Sequence, residues 1–231
     1  MKLSIAFGTV AVAVAVMPAA AGAQDFTVRP GYTQEQLEAL ADEVGSDLRF
    51  RQLGDTATLG RGNADVSVQF AETRLDDSQG AWNHTRVVAR VGVNDRVDVG
   101  AWGGLNPNSD YGLVGVDTKI LLLREGPSRP VSIAVRPSLT SLVGPSDVWI
   151  GTTSVDLSVS RAFGPVSPYT GVAARSSIAF ERSADVDLDP ADAGGTSSFA
   201  GVAYRWRSLS LAGEVEKGEN VTYGFRIGTR F

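Results

Sequence analysis

The eleven residues from Val221 to Phe231 constrain this chain more than any other stretch. Taken at every second position, Val221, Tyr223, Phe225, Ile227, Thr229 and Phe231 fall on one side, and Thr222, Gly224, Arg226, Gly228 and Arg230 on the other. Successive side chains of a strand point to opposite faces, so this is an apolar and aromatic face backed by a small and cationic one. A soluble sandwich would hide the first face against a second sheet. The second face suits the wet or salt-bridged interior of a barrel. The length fits as well, since a tilted strand crosses a bilayer in about 9–11 residues.

The same two-residue rhythm runs back through most of the chain. Val66, Val68 and Phe70 alternate with Asp65, Ser67 and Gln69, and Val87, Ala89, Val91 and Val93 alternate with Arg86, Arg90 and Gly92. Val114, Val116 and Ile120 oppose Gly115, Asp117 and Lys119, while Ile133, Val135 and Leu139 oppose Ala134, Arg136 and Ser138. Val155 and Leu157 stand against Asp156, Ile178 and Phe180 against Arg175, Tyr204 and Trp206 against Arg205, and Leu211 and Val215 against Glu214 and Glu216. Turn signals at Asn94-Asp95, Gly126-Pro127-Ser128, Gly164-Pro165 and Arg207-Ser208 separate these segments. The fold class that follows is all-β: an antiparallel up-and-down transmembrane β-barrel of about ten strands, with eight as the alternative, preceded by a short helix. Short connections collect at one end and longer ones (Leu75 to Asn83, Arg182 to Thr196) at the other, which predicts both termini on the short-turn side. The connection Lys217 to Asn220 is short for the long-loop end.

The N-terminal part has a different texture. Lys2, the apolar run Leu3 to Val16, Pro18 and Ala21-Gly22-Ala23 form the pattern of a cleaved signal peptide over 1–23. Thr33 and Gln36 make a capping box, Leu37, Leu40, Ala41 and Val44 a single apolar stripe, and Gly45-Ser46 a stop, which predicts a helix over 33–44. This helix either covers one end of the barrel or acts as a plug or periplasmic docking element. Residues 47–62, with Leu48-Arg49-Phe50-Arg51 alternating and then three glycines, form a connector in or below the barrel. Residues 24–62 are thus a periplasmic or plug segment and 63–231 the barrel.

A final amphipathic strand with alternating hydrophobics and a terminal aromatic resembles the C-terminal signal of Gram-negative outer-membrane β-barrel proteins, with Tyr223, Phe225, Ile227 and Phe231 as the residues that carry it. The segment Val91 to Leu123, with its short turn and Gly-rich loop, is also similar to hairpins of that family. The resemblance implies location in the outer membrane, contact with its lipid and lipopolysaccharide, and recognition of the last strand by the barrel assembly machinery.

Composition narrows the options further. After position 23 no apolar run reaches 18 residues, so a membrane protein of this sequence must cross as a closed barrel. Without Lys2, 20 cations face 26 carboxylates, a balance of −6 that argues against nucleic acid as a partner. With no Cys there is no disulfide, thiol chemistry or Cys-based zinc site.

The inward set on this assignment is Asp65, Arg86, Arg90, Asp98, Asp117, Lys119, Arg136, Asp156, Arg175, Arg205, Glu214, Glu216, Arg226 and Arg230, eight cations and six anions. Charges inside a narrow barrel must be paired or hydrated, so the expectation is a salt-bridged and mostly occluded lumen; any small pore would favour anions. Aromatics near strand ends (Trp82, Trp102, Tyr111, Trp149, Tyr169, Phe180, Tyr204, Trp206, Tyr223 and Phe231) are expected in an interfacial girdle.

Signals for chemistry are sparse. His84, the single histidine, stands at a loop edge near Asp77 and Ser78, where it is expected to be solvated. The alternative is an outer-membrane hydrolase or acyltransferase using it. Asp185, Asp187, Asp189 and Asp192 could hold Ca²⁺ against lipopolysaccharide phosphates, but they lack the glycine and glutamate of a calcium loop and read as a solvated acidic stretch. The expectation is a monomeric, non-enzymatic, cofactor-free barrel, structural or a narrow conduit for small solutes. A soluble periplasmic barrel binding an apolar ligand is the further alternative.

Overall fold

The computed structural model describes residues 31–51, 53–74, 81–105, 111–145, 147–183 and 186–231. The expected signal peptide and the residues Asp77, Ser78 and Asp185 lie outside them. One helix, α1 (Gln34–Leu48), precedes ten strands: β1 (Ala64–Arg74), β2 (Ala81–Gly92), β3 (Val97–Leu105), β4 (Gly112–Leu123), β5 (Ser132–Val143), β6 (Val148–Ser160), β7 (Val166–Glu181), β8 (Ala191–Trp206), β9 (Leu209–Lys217) and β10 (Val221–Arg230). Each strand pairs antiparallel with its chain neighbours, and β1 pairs with β10 to close the barrel. The closing seam runs from Asp65 opposite Arg230 to Arg74 opposite Val221, and the Phe231 amide donates to the Ala64 carbonyl at 2.9 Å. Closure leaves no sheet edge, which is the condition for a sheet to stand in hydrocarbon.

The alternation sorts cleanly by face. Val87, Val91, Val99, Val116, Leu139, Val155, Val172, Val202, Val215, Phe225 and Ile227 project outward and are more than two-fifths exposed. An apolar belt of this extent around a closed sheet has no protein to cover it and matches a lipid-facing band.

Three expectations need correction. The last six residues of the expected connection Arg182 to Thr196 are strand, because β8 begins at Ala191 and pairs with β7 from Ala179 opposite Ala191. Its polar residues gave no apolar face to read, while small inward residues at Ala191, Ala193 and Gly195 make room for α1, which packs on β7 and β8. The helix runs one turn past Val44. Thr33 and Gln36 cap each other as expected, but Gly45 lies within the helix against the wall, where a Cβ would collide with the Ser177 hydroxyl. That glycine permits a close approach and does not terminate the helix. Finally, Trp82, Trp102, Tyr111 and Tyr169 point inward and are nearly fully buried, so only the remaining aromatics of the expected girdle can contribute to one.

The position of the N-terminal segment is the other departure. The buried face of α1 (Leu37, Ala41, Val44 and Leu48) clusters with Trp82, Tyr111, Leu113, Leu142, Val148 and Ile150, all at strand ends on the long-loop side. Gln34 donates to the Asp189 carbonyl on the same side. The chain then descends through the lumen to the opposite mouth, where the Gly62 amide donates to the Gly92 carbonyl at 2.9 Å and β1 begins. The described N-terminus and the C-terminus therefore lie at opposite ends, not together on the short-turn side. Turn lengths report strand direction only; they are blind to a segment threaded through the middle.

Candidate functional site: a plugged lumen

The lumen is built from two partners, the inward residues of the strands and the segment 47–62 that runs between them. The segment meets the wall in a fixed order from the long-loop mouth down. Asp47 comes first: its Oδ2 meets His84 Nε2, Thr73 Oγ1 donates to its Oδ1 at 3.0 Å, and Arg86 Nη2 donates to its carbonyl at 3.0 Å. Arg49 follows, with Nη1 2.6 Å from Asp156 Oδ1 and Nε donating to Glu216 Oε1 at 3.0 Å. Arg51 lies 3.1 Å from the same Glu216 carboxylate and donates to Thr222 Oγ1 at 3.0 Å. Below them Asp55 pairs with Arg205, and the Thr56 amide donates to Ser160 Oγ at 3.3 Å. At the short-turn mouth Lys119 donates to the Ala57 carbonyl and the Leu59 amide donates to Asp98 Oδ1 at 3.0 Å.

Apolar side chains lock the same path. Phe50 stacks on Trp102 with centroids 5.2 Å apart, and the Arg86 guanidinium lies over the same indole, 4.9 Å from its centroid. Leu53 wedges against β10 where Gly224 has no side chain; a Cβ at Gly224 would collide with its methyl groups. Leu53 adopts a φ of 40°, in the left-handed region, so the fit is held at some backbone strain. Both Phe50 and Leu53 are essentially solvent-free.

The fourteen charged residues expected to line the lumen all project from the strands toward this segment or toward one another. Eleven are buried outright, and Arg175, Arg205 and Arg230 reach the mouths. Arg90 chelates both oxygens of Asp117 at 2.9 and 2.7 Å, Arg136 lies 3.5 Å from the same carboxylate, and Lys119 lies 3.4 Å from Asp98. Arg226 pairs with Asp65 and donates to Ser67 Oγ at 3.0 Å. Arg175 bridges Asp42 on α1 and Glu219 beyond β9. What sequence reasoning missed is the other half of the network: Asp42, Asp47, Arg49, Arg51 and Asp55. Their signal was the alternation Leu48-Arg49-Phe50-Arg51, an unusual charge density for a connector, but nothing local names the partners.

His84 is not solvated. It is 2 % exposed, on β2 beneath α1, with Asp47 as its partner. A carboxylate–imidazole pair of this kind orients a catalytic base only when a nucleophile and substrate access complete it. Here the surroundings are Thr73, Tyr111 and the helix end, and the pair ties the plug to the wall. On the helix, burial together with nearby Asp47 and Asp42 pushes the Glu43 carboxyl up from its ordinary value. Among the described residues no group of three or more metal-ligating side chains converges, and no helix is long and apolar enough to cross a membrane.

No protein-family model and no curated protein matches the chain. Among solved structures it resembles an outer membrane channel from Pseudomonas putida F1 at 10% identity, over 79% of this chain and 100% of that one, with a TM-score of 0.53. Looser overlaps include Ail, the attachment invasion locus protein of Yersinia pestis (15% identity, 74% and 99% covered, TM-score 0.36). Another is OprG of Pseudomonas aeruginosa (12%, 77% and 99%, 0.33). The fold is that of the outer-membrane β-barrels: closed, antiparallel and up-and-down.

Proposed function

We propose that this protein is a monomeric, non-enzymatic barrel of the Gram-negative outer membrane, a narrow conduit for small solutes that its own N-terminal segment holds shut. One observation carries the reading. The charge order along the segment, anion at Asp47, cations at Arg49 and Arg51, anion at Asp55, is matched by the wall it meets: the Arg86 cation beside Asp47, whose carboxylate is bonded by the His84 imidazole and the Thr73 hydroxyl, then Asp156 and Glu216, then Arg205. A lumen that only needed filling could be filled by the side chains of its own wall, as the interiors of small barrels are. Charge matched position by position instead makes a segment that is specific in place and able to be hydrated when it leaves. In this reading the lipid-facing positions Tyr223, Phe225, Ile227 and Phe231, all well exposed on the barrel surface, are also what the assembly machinery meets.

The test is single-channel recording on refolded protein. Wild type is expected to be closed with rare openings, and the double reversal R49E/R51E, which sets four carboxylates against one another, to conduct in discrete steps. Loss of protection of residues 33–62 to protease without any conductance would refute the conduit and leave a structural barrel. A water-soluble wild-type protein would refute both.

A further inference from the structure

The charges of the lumen are balanced overall but not locally. Toward the short-turn mouth six cations converge: Arg90, Lys119, Arg136, Arg205, Arg226 and Arg230. Arg90, Lys119 and Arg136 face Asp117, Asp98 and, across the β5–β6 register, Asp156, whereas Arg205, Arg226 and Arg230 share two carboxylates, Asp65 and Asp55. At the rim this leaves three guanidinium groups on two carboxylates, one positive charge over. A buried excess of this kind draws a counter-ion from solution, because an uncompensated charge out of bulk water is strongly unfavourable.

The excess can be placed. Arg230 stands 3.6 Å from Asp65, beyond hydrogen-bond distance, and that carboxylate already accepts from Arg226. Arg205 has one carboxylate partner, Asp55, and that belongs to the plug and not to the wall. Both arginine side chains are a quarter or more exposed, unlike the others. Strand register sets them on one rim: Arg205 lies opposite Ser210 on β9, and Ser210 opposite Gly228 on β10, two residues before Arg230. Between them and the Leu53–Asp55 bend is a recess of about 20 Å³ open to solvent, so an anion larger than a water enters by displacing the Asp55 carboxylate.

We propose that this rim is a binding site for a small oxyanion of the phosphate type, held by Arg205 and Arg230 with the Ser210 hydroxyl between them. Asp55 is the internal occupant of that site: a carboxylate that presents two oxygens to a guanidinium as a phosphate does. The free anion and Asp55 compete for Arg205, so binding at the rim loosens the lower attachment of the plug. This deepens the conduit reading by naming the class of solute, a small oxyanion, and by coupling its arrival to release of the segment that blocks it.

Isothermal titration of the refolded full chain with inorganic phosphate tests this, using bilayer discs of a zwitterionic lipid and chloride at equal ionic strength as the blank. Saturable binding is expected in the micromolar to millimolar range. Asp55→Asn should tighten it roughly tenfold by removing the competitor, and Arg230→Ala should weaken it roughly tenfold, the scale of one charge-assisted hydrogen bond. Arg74→Ala, an exposed arginine at the other mouth that touches neither the plug nor the rim, should leave it unchanged. No saturable binding by wild type below ~10 mM, a dissociation constant too weak for a built site, overturns the proposal whatever the variants do. So does an Asp55→Asn protein that binds no better than wild type. Binding present in zwitterionic discs and abolished by an anionic phospholipid assigns the site to headgroup phosphate and overturns the free-anion reading. Calorimetry reports occupancy and not flux, so a negative result here with a conducting R49E/R51E barrel removes the oxyanion site and leaves the conduit standing.

Discussion

Arg49→Met separates the charge of the plug from its bulk, because methionine keeps most of the apolar stem and removes the guanidinium. In the wild type that group is 2 % exposed and holds two carboxylates on different walls, Asp156 at 2.6 Å and Glu216 at 3.0 Å. Removing one partner of a buried ion pair costs about 3–5 kcal/mol, mostly from stranding the other. Two features put this case at the low end. Glu216 keeps Arg51 at 3.1 Å, so Asp156 alone loses its close partner, and Arg136, opposite Asp156 in the β5–β6 register, still faces that carboxylate. A figure of about 3 kcal/mol for docking of the segment corresponds to a shift of roughly a hundredfold in the docked-to-undocked ratio. The strand ladders do not pass through Arg49, so the wall itself should refold and resist heat as before. The readout is the open probability of refolded protein in a planar bilayer, paired with amide exchange across 47–60. Both should rise by about two orders of magnitude, and Arg49→Lys, which restores charge without the two-pronged geometry, should fall between. Unchanged exchange in Arg49→Met would show that desolvation cancels the attraction, and would refute the reasoning that charge matching holds the plug.

Other perturbations probe the same segment from different sides. Gly224→Val drives a side chain into Leu53 and should cost about 1–3 kcal/mol in docking, read as faster exchange at 53–56; adding Leu53→Ala should reverse most of it, and failure of that rescue would deny the contact. His84→Ala removes the partner of Asp47 Oδ2 and should loosen the end of α1 by about 1–3 kcal/mol in exchange experiments, with any hydrolytic activity found in the preparation unaffected. Glu43 binds its proton more tightly when the helix is docked, so docking is strongest in acid and weakens as pH rises through the window from the ordinary carboxylate value to the raised one. Openings should therefore become more frequent across that window in wild type, and Glu43→Gln should flatten the profile at its low-opening end.

Much of the barrel was legible in the chain itself. Period-two alternation is a local property of each strand: once Val66 and Ser67, or Phe225 and Arg226, must face opposite ways, one face must be apolar and the other wet, and a sheet in hydrocarbon has to close. The capping pair Thr33 and Gln36 likewise fixed the start of α1 from four residues. Where local pattern was silent the reading failed in traceable ways: β8 begins in a polar stretch whose inward residues are small to admit a helix, and Gly45 looked like a stop because its neighbour across space, Ser177, is 132 positions away in the chain. His84 and Trp102 were misplaced for the same reason, since both are buried by the segment 47–62 and not by their own strands. Alternation and turn chemistry pointed to a closed barrel of about ten strands, with eight left open, and to the charged residues on its inward face, and the cap to the start of the helix. Only the tertiary structure decided what fills that interior, from which end the helix enters and which charge meets which, because those pairings join residues from tens to more than a hundred positions apart and depend on the ring being closed.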